Sequence, residues 1–146
     1  MTALEEFGKI LSQLTGVVTR LADIEEQKAE AAAQKQHSLI DPLLREEQPL
    51  ILSLRGLEKQ RMEQSAVLGW EGLTFRQILD TADAEQKAAL TPLFTELQEK
   101  TNRLRQTRET SDRMIRVCMR ELEYITSRLE QTTGGKAPHS FHDKYV

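Results

Sequence analysis

Three histidines, one cysteine and a crowd of arginines are the residues whose chemistry has to be decided first. His139 and His142, with Asp143 beside them, have the types of a metal-binding set, but they fall in the tail KAPHSFHDKYV, whose lack of periodicity supplies no fixed coordination geometry. His37 stands in a connection between two helical stretches. Cys118 has no cysteine to pair with, and as a small apolar thiol on a row of core-type residues it suits packing better than nucleophilic chemistry. The chain has no Gly-rich phosphate loop, no histidine pair at i and i+4, and no Ser, His and acid set that a rigid frame would hold together. The expectation is a protein that is not an enzyme and uses no metal and no cofactor.

What remains is recognition. Arg103, Arg105, Arg108, Arg113, Arg116 and Arg120 share one stretch with only Glu109 and Asp112. No aromatic residues are interleaved for base stacking, and the formal net charge of the whole chain is -3, so an acidic protein patch fits this stretch better than nucleic acid does.

These groups are carried by helices. Every seventh residue from Leu90 runs Leu97, Leu104, Ser111, Cys118, Ile125, and a second row runs Phe94, Thr101, Arg108, Ile115, Leu122, Leu129. No Pro or Gly interrupts the stretch from Leu93 to Thr133, so both rows lie along one seam of a helix about 60 Å long at roughly 1.5 Å per residue. Thr101, Arg108 and Ser111 stand where a purely structural seam keeps Leu or Ile. Such a seam is either a core with a buried polar layer or a groove for another chain. Met114, Val117 and Tyr124 form a second apolar row, with Met119 on the opposite flank; they either touch the first helix or edge that groove.

The first helix is predicted from about Ala3 to Gln36, opened by a Thr2 and Glu5 capping pair and carrying Leu4, Phe7, Ile10, Leu11, Leu14, Val17, Val18, Leu21 and Ile24 at three- and four-residue spacing. Its end, EEQKAEAAAQKQ, has no large apolar side chain and is expected to protrude or to pack only through alanines. Gly8 and Gly16 weaken the helix and permit close approach. Asp41 before Pro42 reads as the cap of a second helix towards Leu68, kinked at Pro49 or settling only after it. Thr74 and Gln77 box a short third helix ending near Ala82. Asp83 caps a turn through Leu90, and Thr91-Pro92 restarts or bends the last helix, which runs to about Gln131.

The predicted fold is therefore all-α: an elongated antiparallel bundle or coiled coil of three long helices plus one short one, with residues 1–133 as a single domain and 134–146 as a mobile tail. No apolar run approaches the ~20 residues of a membrane span and the start has no basic region, so a cytoplasmic protein without membrane insertion is expected.

The stretches LEEFGKILSQLTGVVTRLADIEEQKAEAA, LLREEQPLILSLRGLEKQRMEQSAVLGW and LTFRQIL, followed by the Arg-rich last helix, resemble the FlgN family of bacterial flagellar export chaperones. The likeness covers Leu4 to Leu129 and includes Lys28, the acidic pair Glu46 and Glu47, Leu57-Glu58 ahead of Arg61, and Leu68-Gly69 at the end of the second helix. It implies a cytoplasmic chaperone that holds the C-terminal helical segments of hook-associated proteins and presents them to the flagellar export apparatus. By position, Leu97, Leu104, Ile115, Cys118 and Leu122 would form the client groove or its core, Met114, Val117 and Met119 its edge, and Arg105, Arg108 and Arg116 would meet client carboxylates. Tyr124 would dock on the export gate, because the family uses a tyrosine near its C-terminal region. The alternative is a generic coiled-coil adaptor that self-associates and has no flagellar role; for the chaperone, only weak self-association is expected.

Overall fold

The computed structural model describes residues 2–133, and among these all side chains except those of Leu122 and positions 125–133. The described residues form four α-helices, α1 (Ala3–Ala33), α2 (Ile40–Val67), α3 (Phe75–Thr81) and α4 (Ala84–Thr133), with a 3-10 turn at His37–Leu39 and no strand. None of the helices is long and apolar enough to cross a membrane. The tail from Gly134 lies outside the described residues.

Local chemistry sets the helix ends. Thr2 accepts from the Glu5 amide to open α1. Thr74 and Gln77 exchange hydrogen bonds of 2.9 and 3.2 Å to open α3. The same reciprocal box joins Asp83 and Gln86, at 3.0 and 2.8 Å, and it opens α4 itself, not an isolated turn. The last helix therefore starts at Ala84 and spans 50 residues, about 75 Å, with Pro92 inside it. Pro49 likewise lies inside an uninterrupted α2. Both prolines sit on exposed positions, where water can satisfy the carbonyl that each deprives of an amide partner.

Two other boundaries differ from the sequence reading. The first helix ends at Ala33 and not Gln36, because Lys35 adopts the left-handed conformation (φ 58°) and the amides of Lys35 and Gln36 turn back onto the carbonyls of Ala32 and Ala31. The second begins at Ile40: the 3-10 turn feeds directly into it, so Leu39 and not Asp41 precedes the helix, and Pro42 occupies its first turn. The same type of stop ends α2. Gly69 is left-handed (φ 82°), and the amides of Gly69 and Trp70 bond the carbonyls of Ala66 and Ser65.

Helix α1 is central, with α4 packed along one side of it and α2 along another. Gln64, late in α2, donates to the Ala3 carbonyl, whereas Lys28 reaches Glu47, so α1 and α2 run in opposite directions. Leu93 of α4 meets Gly8, and Arg103 meets Asp23 and Glu26, so α1 and α4 run in the same direction. A Cβ at Gly8 would lie 3.3 Å from Leu93, which makes Gly8 a point of close helix approach; Gly16 has open space around it.

The core has two parts. At the base, Phe7, Leu11, Leu14, Trp70, Ile78, Leu90, Phe94 and Leu97 are buried together, with Phe7 edge-on to both Trp70 and Phe94. Farther along, Ala31, Ala32, Ile40, Ile115, Cys118 and Met119 form a smaller cluster. The second half of α1 thus does not protrude: its alanines are covered by α4 and the start of α2.

Candidate functional site

The residues expected to receive a partner separate into three groups on α4. Leu97 belongs to the base core, and Leu104 packs partly buried against it. Ile115, Cys118 and Met119 are buried in the second cluster with Met114 half-buried beside them, so Met119, expected at an edge, is a core residue. Arg105, Arg108 and Arg116 are exposed. Val117 and Tyr124 are 47% and 63% exposed. The side chain of Leu122 lies outside the described ones.

The seam also has a different phase from the two heptad rows read in the sequence. Thr101 and Arg108 are exposed; of the three polar seam residues, Ser111 alone is buried. Helix α4 turns the row Leu90, Leu97, Leu104, Ser111, Cys118 towards its partners, and the second row drifts off the contact in its middle.

Ser111 leads to a feature that the sequence reading missed. Its hydroxyl donates to Glu25 Oε2, Lys28 Nζ donates to Glu25 Oε1 at 3.0 Å and to Glu47 Oε2 at 3.3 Å, and all four residues are buried. Burial alone would favour the neutral form of each carboxyl, but hydrogen bonds from Glu47, Ser111 and Lys28 outweigh it at Glu25 and hold that group below its ordinary value. Glu47 is pushed up, by burial first and then by its hydrogen bond to Glu25, so that the two carboxyls beside a single ammonium are displaced in opposite directions. The signal was available. Leu4, Leu11, Val18, Glu25, Ala32 and Phe7, Leu14, Leu21, Lys28 are heptad rows of α1, and Ile40, Glu47, Leu54, Arg61, Leu68 is one of α2. Each of these polar residues stands where its row calls for an apolar one.

Cys118 packs in the core, with Sγ 2.6 Å from His37 Nδ1. Burial, reinforced by Glu121 and opposed by Lys35, pushes the thiol up, which leaves it protonated and a poor nucleophile near neutral pH. No group of three or more metal-ligating side chains occurs among the described residues. His139, His142 and Asp143 lie outside them.

The arginine stretch is not one uniform face. Arg103 turns inward and forks between Asp23 at 2.9 Å and Glu26 at 2.8 Å, tying α4 to α1. Farther along, Arg113, Val117, Arg120 and Tyr124 are all exposed. Their spacing of four, three and four residues places them on one outer stripe of α4, cationic and apolar in alternation. Lys35, just past the end of α1, lies 3.8 Å from Glu121, and α4 runs on to Thr133, about three turns beyond that contact. This distal part combines an outer stripe with a helix that outreaches the element it packs on, an arrangement suited to binding an amphipathic segment and not to bond chemistry.

The sequence matches the family described as FlgN protein over residues 1–138. No curated protein and no solved structure matches the chain.

Proposed function

The chain belongs to the FlgN family, whose general role is that of a chaperone, and on that premise we propose that it is a cytoplasmic chaperone of flagellar type III export. Its clients are the C-terminal helical segments of hook-associated proteins, which it presents to the export apparatus. In this reading the molecule is an elongated antiparallel bundle of three long helices whose last member doubles as the client platform. The observation that carries it is the distal part of α4, where the exposed side chains of Val117 and Tyr124 alternate with those of Arg113 and Arg120. A client segment, disordered before assembly, would lay its apolar face along this stripe as a helix and set its carboxylates against the arginines. Ordering the client on binding offsets part of the contact energy and keeps the complex releasable. Tyr124 is the proposed contact to the export gate, and Arg108 and Arg116 widen the cationic surface.

The test is titration of the full chain with a synthetic C-terminal segment of a hook-associated protein, with helicity followed in parallel. Val117→Asp should weaken binding at least about tenfold and leave helicity unchanged, because the side chain contributes to no core. Ile115→Ala, by contrast, should lower stability, since Ile115 is buried. Unchanged affinity in Val117→Asp would remove the stripe from the client site. A stable oligomer that covers the stripe without client would favour the self-associating adaptor instead.

A further inference from the structure

We propose that the furrow between α3 and α4 is a second docking site, and that it takes an acidic, amphipathic peptide segment of a protein partner. The furrow has a volume of about 610 Å³ and lies at the base of the molecule; its nearest α4 residue, Arg105, is some 30 Å along the helix from Tyr124 at roughly 1.5 Å per residue. Its apolar lining is Phe75, Leu79 and Phe94, and its ionisable lining consists of Arg76 and Arg105.

Charge decides the occupant. None of the residues lining the furrow carries a carboxylate, and neither Arg76 nor Arg105 makes an ion pair among the described residues. Arg105 is held by a 2.9 Å hydrogen bond to Asn102, which positions the guanidinium without neutralising it. Arg61 and Arg103 nearby are different, because Glu58 and the Asp23 and Glu26 pair already satisfy them. Two unpaired guanidiniums above an apolar strip match a segment with two apolar residues three or four apart, flanked by Asp or Glu.

The rings disfavour nucleic acid as the occupant. Phe75 stacks on Phe94 at 4.3 Å between centroids, and the Arg61 guanidinium lies 5.4 Å from the Phe75 centroid. Phe94 in turn receives the edge contact of Phe7. The ring faces are engaged within the protein, so what the furrow offers is apolar packing and not a platform for bases.

Random short peptides displayed on phage, panned against the full chain, test this. Selected peptides are measured by fluorescence anisotropy against wild type, the double variant Arg76→Glu with Arg105→Glu, and a second variant, Val117→Asp with Tyr124→Ala. All four positions are exposed, and circular dichroism checks that the folds are kept. The expected result is enrichment of acidic sequences around two spaced apolar residues, with affinity at least about tenfold lower for the arginine double variant and unchanged for the Val117 and Tyr124 variant. Enrichment without acidic bias, or equal affinity for wild type and the arginine variant, overturns the proposal. Loss of binding in the Val117 and Tyr124 variant alone overturns it while leaving the client stripe standing. Single-stranded oligothymidylate binding as tightly, with the same dependence on the two arginines, would reassign the furrow to nucleic acid.

Discussion

Phe7 and Lys28 occupy the same heptad row of α1, three repeats apart, yet the materials around them are opposite. Phe7 is enclosed by Leu11, Trp70 and Phe94, with ring contacts at 5.8 and 6.0 Å. Lys28 is enclosed by two glutamates and, through Glu25, by a serine. The base is held by area removed from water, a non-directional force that survives changes of pH. The distal half adds to a smaller apolar cluster a directional set of charges whose attraction must outweigh their desolvation. The half with the directional core is also the half from which α4 extends its exposed stripe.

Substitution of each central residue should make the contrast measurable. Phe7→Ala is expected to cost about 3–5 kcal/mol, from lost burial and the cavity left among rings that cannot collapse. Lys28→Met should cost a similar ~3–5 kcal/mol for a different reason, since it leaves two buried carboxyls without their cation. Urea unfolding distinguishes the two causes: adding Glu25→Leu and Glu47→Leu to Lys28→Met should restore most of the loss. If the triple variant is no more stable than the single one, the polar layer is not electrostatic in origin.

A smaller effect separates the two carboxyls by pH. Glu25 titrates below its ordinary 4.5, so its contribution to stability is present above that pH and lost as pH falls through the lowered folded value. Glu47 titrates above 4.5, so its effect is the reverse: stability is full below 4.5 and falls as pH rises through the raised value. Glu47→Gln removes the second slope while keeping an amide that can donate to Glu25. Relative to wild type, the variant should become more stable as pH is raised from below 4.5 to neutrality, in unfolding curves measured at each pH; a constant or opposite difference would mean that Glu47 is not pushed up in the folded protein. Smaller again is Lys35→Gly, which relieves the left-handed backbone at the end of α1 and should add roughly 0.5–1 kcal/mol, read as a raised melting temperature. The exposed pair with Glu121 that it removes counts for little.

Much of the fold was legible in the residues. The Thr74 and Gln77 box marked α3 to within a residue, and the Leu68-Gly69-Trp70 stop of α2 was marked by its glycine, because caps are local exchanges of hydrogen bonds. The stop of α1 was not legible, since Lys35 carries out a task usually given to glycine and leaves no compositional trace. Pro92 does not restart the helix, for the converse reason: proline usually marks a first turn, but on an exposed face a helix with a good cap nine residues earlier, at Asp83, can carry it. In the candidate site, the row Met114, Val117 and Tyr124 reads either as contact with the first helix or as a groove edge, and only the structure separates its members, with Met114 half-buried and Val117 and Tyr124 exposed. Packing of Cys118 is expected from its row, whereas the burial of Ile115 and Met119 does not follow from α4 by itself, because whether a stripe is core or groove depends on what is laid against it.

The sequence by itself determined the helical class, the order of the elements and the caps, since each depends on interactions within a few residues and on a 3.6-residue period. Tertiary structure decided which polar residues are buried and which surface is left open. Glu25 with Lys28, Glu47, and Ser111 belong to three separate helices, and they meet at one level only after α2 has turned back along α1 and α4 has been laid beside it. A hydrogen bond between residues so far apart in the chain requires a relative placement of helices that no single helix encodes.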